Sequence, residues 1–203
     1  MESMTLFTSI VLGIGLAAAC GFRVFVPLFF ISIASMSGQL TLSPGFEWIG
    51  TWPALILLGV ATALEIGAYY FPWIDNLLDS IASPAAVIAG TVVTAAVVGD
   101  MEPALKWAIS LIAGGGTAGA VQTITVVARG ASTLATGGLG NPGVSTVEAG
   151  GSVVTTVLAI FLPYVAFVLV LVFIGVVGTY SFRKWRRKKS IPDTQNGEPN
   201  PEL

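Results

Sequence analysis

The sequence predicts an all-α, polytopic transmembrane helix bundle of about five crossings with broken helices, and three observations carry that reading. Mean hydropathy is +0.85, and charged residues make up 10% of the chain, against about 25% in an ordinary soluble domain. Runs of Ile, Leu, Val, Ala, Gly and Phe exceed the roughly 20 apolar residues that a helix needs to cross the hydrocarbon core. Those runs lack the polar-in, apolar-out alternation of barrel strands. What remains is the helix, which satisfies its own backbone in lipid.

The first apolar stretch runs from about Thr5 to about Ser37. It is too long for a simple crossing, and Gly21, Arg23 and Pro27 interrupt its middle, so it is expected to be bent, broken, or folded into a hairpin. Within it, Leu16-Ala17-Ala18-Ala19-Cys20 has the look of a lipoprotein cleavage site. No Lys or Arg precedes it and the residues after it stay hydrophobic, so an uncleaved first helix is expected. A polar loop through Ser43-Pro44-Gly45 and Glu47 leads to a second helix from Pro53 to about Tyr70, with Glu65 inside it. Proline suits a helix start.

From Pro72 to Ala82, Trp73, Ile74, Leu77, Leu78 and Ile81 share one face and Asp75, Asn76, Asp79 and Ser80 the other. That spacing describes a short amphipathic helix at the interface. Pro84 opens a third crossing to about Val98, and a fourth spans about Lys106 to Arg129. Gly130 to Gly151 is rich in Gly, Ser, Thr, Asn and Pro and cannot be regular helix throughout. It is either a flexible external loop or a re-entrant, broken-helix element lining a cavity. The last helix runs from about Ser152 to Phe182, interrupted at Pro163.

Residues 1–182 thus form the transmembrane domain, and residues 183–203 a basic juxtamembrane run with a disordered tail. Six of the nine basic residues sit in that run: Arg183, Lys184, Arg186, Arg187, Lys188 and Lys189. By the positive-inside rule they anchor a cytoplasmic C-terminus and face anionic lipid, with no nucleic-acid role required. The expected location is integral to a membrane, with the C-terminus cytoplasmic. Counting back through five crossings puts the N-terminus outside, together with Asp75, Asp79 and the Gly-rich segment. A hairpin in the first stretch would move the N-terminus inside.

Sliding the chain on itself by 98 residues superposes Gly21 on Gly119 and Pro44-Gly45 on Pro142-Gly143. Helix, Pro-Gly loop and helix recur in the same order, giving repeat units of about 8–70 and 106–168. An odd number of crossings between them makes the units inverted, an arrangement of many transporters.

One cysteine and no histidine exclude Cys/His zinc sites, Cys-His nucleophile pairs and Ser-His-Asp triads. No enzyme activity and no cofactor are expected. Charges inside a bilayer helix cost several kcal/mol and persist where they face a partner, a bundle interior or water, which singles out Arg23 and Glu65. They are either a structural ion-pair set or a solute, ion or proton site. Whether the two meet is open. Arg129 and Glu148 flank the Gly-rich segment and can pair across its mouth, with Asn141, Ser132, Thr133 and Ser145 as hydrogen-bonding lining. Asp75 and Asp79 share a helix face at a spacing that could bind Mg²⁺, although most such pairs are a solvated face. Stripes of small residues (Gly13, Ala17, Gly21; Gly59, Ala63, Gly67; Gly115, Gly119) mark close-packing helix seams and would also serve a homo-oligomer.

Taken together, Gly21-Phe22-Arg23-Val24-Phe25-Val26-Pro27, Glu65 leading to Pro72-Trp73-Ile74-Asp75 and Asp79, and Gly140-Asn141-Pro142 with Ser145 and Glu148 resemble domain-of-unknown-function family 4126. These are small bacterial integral-membrane proteins, and the likeness covers roughly residues 8 to 180. The resemblance implies the architecture and points at Arg23, Glu65, Asp75, Asp79, Asn141 and Glu148, without an activity. Members of that family often carry a basic or aspartate residue after the Glu-bearing turn and a His and a Lys in the fourth helix. Tyr69, Tyr70, Gln122 and Thr125 occupy those neighbourhoods here. The expected function is a permease or channel for a small solute or ion, with a polar midplane site formed by Arg23, Glu65, Arg129, Asn141 and Glu148. The alternative is a non-transporting scaffold or accessory subunit.

Overall fold

The computed structural model describes residues 2–99 and 101–189, with side chains for 6–71, 78, 80–99 and 101–180. The helices are α1 (Glu2–Phe22), α2 (Phe25–Met36), α3 (Trp52–Ala68), α4 (Pro72–Val97), α5 (Pro103–Ile109), α6 (Gly116–Thr136), α7 (Asn141–Phe161) and α8 (Pro163–Lys189). A 3₁₀ turn at Glu47–Gly50 precedes α3, and a π-helical turn at Ser110–Gly115 joins α5 to α6. These last two therefore run as one continuous rod, Pro103–Thr136. Seven rods and no strand occur among the described residues, an all-α bundle.

Helix α1 is the hub. Leu16, Ala17, Ala18, Ala19 and Cys20 are all fully buried, and their small size lets four neighbours close on them. Thr94 Oγ1 of α4 lies 3.1 Å from the Gly13 carbonyl, Ser152 Oγ of α7 donates to the Ala19 carbonyl at 2.9 Å, and Gly21 faces Ala118 and Val121 of α6. Phe22 meets Phe173 of α8 at 5.6 Å between ring centroids, while Thr8 pairs with Tyr164 at the other end. The seam expected at Gly13, Ala17 and Gly21 is thus a packing seam.

These pairings fix directions. α4 and α7 run antiparallel to α1, while α6 and α8 run parallel to it. α2 turns back along α1, because the loop that follows it reaches the far end of α4: Ser43 N donates to the Ala96 carbonyl at 2.7 Å and its hydroxyl to that of Val98. α3 reverses again against α2, tied at one end by Ser32 Oγ to the Ile49 carbonyl, 2.6 Å, and at the other by Glu65. The first apolar stretch is therefore the hairpin, not the single bent crossing.

Several expectations are corrected. Gly130 to Gly151 is neither loop nor re-entrant element but the facing ends of α6 and α7. Gly137, with φ +64°, ends α6 in the left-handed conformation, and Pro142 sits in the first turn of α7. A helix stop and a helix start four residues apart look like one loop in sequence. The Pro163 interruption is a full break, so the last stretch contributes α7 and α8 separately. Pro84 lies inside α4, and the amphipathic segment 72–82 is that helix's first turns, since membrane helices tolerate proline when neighbours supply the lost bond.

The extra rods change the expected sidedness as well. The α6–α7 turn and the start of α4, which carries Asp75 and Asp79, lie at the same end as the C-terminus of α8, not opposite it. α1 and α6 run parallel, so units 8–70 and 106–168 are not inverted. Pro44-Gly45 lies in a loop whereas Pro142-Gly143 lies in α7, which removes the matching loops as well. The side chains of Asp75, Asp79 and the basic run Arg183 to Lys189, and the tail from 190, lie outside the described residues.

Four helices are long and apolar enough to cross a membrane: Ser80–Val97, Pro103–Thr136, Asn141–Phe161 and Pro163–Tyr180. Leu6–Phe22, Phe25–Met36 and Trp52–Ala68 are shorter apolar helices. Their outward faces carry Ile56, Leu57, Val60, Leu64, Val172 and Val176 in exposed positions, a surface that suits lipid rather than water.

Candidate functional site

The site grows from the break between α1 and α2. Arg23 follows the last residue of α1, and Pro27 falls in the first turn of α2, where a missing N–H costs nothing. The leading amides of α2 therefore lack helical partners. Glu65, one turn before the end of α3, supplies them: Oε1 accepts from Val24 N at 2.7 Å and Oε2 from Phe25 N at 2.9 Å. A carboxylate at a helix N-terminus is also favoured by the helix dipole. Glu65 thus binds the backbone beside Arg23, and its charge is engaged there.

The Arg23 side chain points inward and is 1% exposed. Its Nη2 donates to the Ser145 carbonyl at 3.1 Å and lies 3.4 Å from Glu148 Oε2. Arg129 of α6 meets the same carboxylate as a fork, Nε to Oε1 at 3.1 Å and Nη2 to Oε2, the two-point geometry in which guanidinium and carboxylate bind most strongly. The guanidinium carbons lie 3.8 Å (Arg23) and 4.0 Å (Arg129) from the centroid of the Tyr69 ring, cation–π contacts that gain from burial. Five helical segments contribute: the ends of α1 and α3, the start of α2, and the interiors of α6 and α7.

Arg129 stands seven residues before the end of α6 and Glu148 seven after the start of α7, so the cluster lies about 10 Å below the turn between them. Nearer that turn Asn141 Nδ2 donates to Thr133 Oγ1 at 3.0 Å, which ties the two helices together away from the charges. Asn141, Ser145, Glu148, Ser152 and Thr156 are all buried on α7, and Gln122, Thr125 and Arg129 on α6. The inward faces of both helices are therefore polar seams. A family model described as domain of unknown function (DUF4126) matches residues 10–183. The chain belongs to that family. No curated protein and no solved structure matches it.

In this DUF4126 member the sequence-selected residues divide by place. Arg23, Arg129 and Glu148 form one ion cluster, Glu65 stands beside it on the α2 amides, and Asn141 sits at the hairpin turn. Tyr69, noted only as an aromatic where relatives carry a charge, is the shared platform for both arginines. An aromatic near a membrane helix end looks like an interfacial anchor, so nothing in its own neighbourhood in the sequence marked it. Among the described residues no group of three or more Cys, Asp or Glu side chains is placed to hold a metal.

A groove of about 400 Å³ opens beside the cluster, lined by residues of α3 and α4 with Val24 and Phe25. Its walls are apolar apart from Glu65 and Tyr69. Tyr69 therefore lines the groove, and its ring touches both guanidiniums.

Proposed function

We propose that the protein is an integral membrane permease for a small solute or ion, with the Arg23, Glu65, Arg129 and Glu148 cluster as its site and no enzymatic reaction. The observation that carries this reading is the convergence of four charged side chains at the α1–α2 turn inside an apolar bundle. Insertion of such charges costs roughly 2.5–3.5 kcal/mol each on translocon scales, an expense that a merely structural core avoids by using apolar packing. Helix ends whose backbone groups meet charge, as the start of α2 meets Glu65, recur in transporter sites. The expected setting is a bacterial inner membrane with the C-terminus cytoplasmic, the basic run on α8 facing anionic lipid. That places the cluster in the cytoplasmic half.

The test is solid-supported membrane electrophysiology on proteoliposomes, with concentration jumps of sodium, potassium, chloride and acetate salts. A transient current in the wild type that falls at least tenfold in both Glu65→Gln and Arg23→Gln, each eluting as folded protein, supports the permease. Wild-type traces equal to those of protein-free liposomes, or variants as active as wild type, overturn it. The tight closure around Arg23 and Glu148, 1% and 4% exposed, favours a second reading, a non-transporting scaffold held by a buried ion cluster. Silent wild-type traces combined with co-purification of a defined membrane partner would favour that scaffold.

A further inference from the structure

Arg23 does not use all its donors. Nη2 is engaged by the Ser145 carbonyl and Glu148, while Nε and Nη1, both buried, meet no hydrogen-bond acceptor among the described residues. The hydroxyl of Ser145, in a residue 1% exposed, is unpartnered in the same way. The serine carbonyl already touches the guanidinium, so the two residues that hold the unsatisfied groups are in contact. Arg129 differs, because Glu148 takes its fork. An unsatisfied buried donor costs about 1–3 kcal/mol and more when charged, and here three N–H bonds and one O–H carry that cost together.

We propose that Arg23 and Ser145 form the binding site for a small monocarboxylate, the substrate class of the permease proposed above, on which this inference rests. Four donors match the roughly four acceptor positions of one carboxylate, and charge-assisted bonds to a guanidinium are the strong kind. Charge sets the valence. The described cluster holds two guanidiniums and two carboxylates, with Glu65 already engaged by the α2 amides. A single added negative charge therefore meets the unfilled side of Arg23, whereas a dianion such as phosphate would meet repulsion from Glu148 and Glu65. Access runs past Tyr69, which packs on both guanidiniums and is also a lining residue of the α3–α4 groove. α3 packs chiefly on α2 and the 3₁₀ turn, so it is the rod best placed to shift and carry Tyr69 aside.

The experiment is a thermal-unfolding titration of the full chain in detergent with sodium acetate and sodium butyrate, against sodium chloride and sodium phosphate at matched ionic strength. A saturable rise in Tm with the two carboxylates alone is expected. Ser145→Ala should keep the unliganded Tm and weaken the apparent Kd about three- to tenfold, the loss of one hydrogen bond, and Arg23→Lys should abolish saturation. A rise that is equal for all four salts, or that is unchanged in Ser145→Ala, overturns the site and leaves the buried donors to water. Saturable carboxylate binding without current in liposomes keeps this site and removes the permease. Cation-driven current without carboxylate binding keeps the permease and removes this site.

Discussion

Glu148 meets two guanidiniums that arrive from different helices, Arg129 as a fork and Arg23 at 3.4 Å, and all three side chains are buried. Replacing it by glutamine keeps the shape and one acceptor oxygen but leaves two buried cations with Glu65, which is held on the α2 amides, as the remaining carboxylate of the cluster. Breaking a buried pair in this way costs about 3–5 kcal/mol. Glu148→Gln is therefore expected to lower unfolding stability in detergent by about that amount, read from denaturant midpoints, while the double variant Glu148→Gln, Arg129→Gln recovers part of the loss. A single variant as stable as wild type would mean the cluster is hydrated or charge-compensated elsewhere. At this scale much was legible in the sequence, because a charge inside an apolar run is costly and so stands out. The Arg129 and Glu148 partnership followed from their flanking one short segment. What Arg23 and Glu65 do was not legible, since it depends on α2 folding back, and that reversal is set by contacts with α4 far along the chain.

The elements pack through glycine where the chain crosses itself most closely. Gly114 in the π turn faces α4, and a Cβ there would stand against Thr94 Oγ1 and 2.5 Å from the Gly90 carbonyl. The backbone carbonyl cannot yield as a side chain could, so Gly114→Ala should push the α5–α6 rod from α4 and cost about 1–3 kcal/mol. Gly116, two residues on in the same rod, meets nothing within 4 Å. Gly116→Ala should accordingly be neutral or slightly stabilising, by up to about 1 kcal/mol from helix propensity. The matched pair separates packing from propensity: equal Tm shifts in the two variants would refute the close crossing. Helix existence was readable from hydropathy throughout, but helix ends were not. Within Gly130 to Gly151 the positive φ of Gly137 and Gly138 makes the turn between α6 and α7, while most of the other glycines sit on helix with open space around them, and composition alone cannot tell a small-residue helix from a loop. Pro84 and Pro163 show the same limit in mirror image, one absorbed within a helix and the other ending one.

Over the described residues, the seven rods alternate in direction, so α1 and α8 run parallel and the start of α1 and the end of α8 face opposite sides. The same alternation puts the α6–α7 turn on the side of the α8 C-terminus and the loop after α2 on the other. A five-crossing count had set that turn opposite the basic run, and the reversal at the α7–α8 break, absent from the count, accounts for the difference. Cysteine labelling can decide between the arrangements without interference from the native thiol, since Cys20 is fully buried. Gln39→Cys lies in the exposed loop after α2 and Leu139→Cys at the exposed α6–α7 turn. With a membrane-impermeant maleimide, Leu139→Cys should label in inverted vesicles and Gln39→Cys in right-side-out ones, if the basic run on α8 fixes its end in the cytoplasm. Labelling of both from one side would break the alternation. Labelling from opposite sides but in the reverse sense would preserve the fold and overturn only the orientation, moving the Arg23 cluster to the outer half of the membrane.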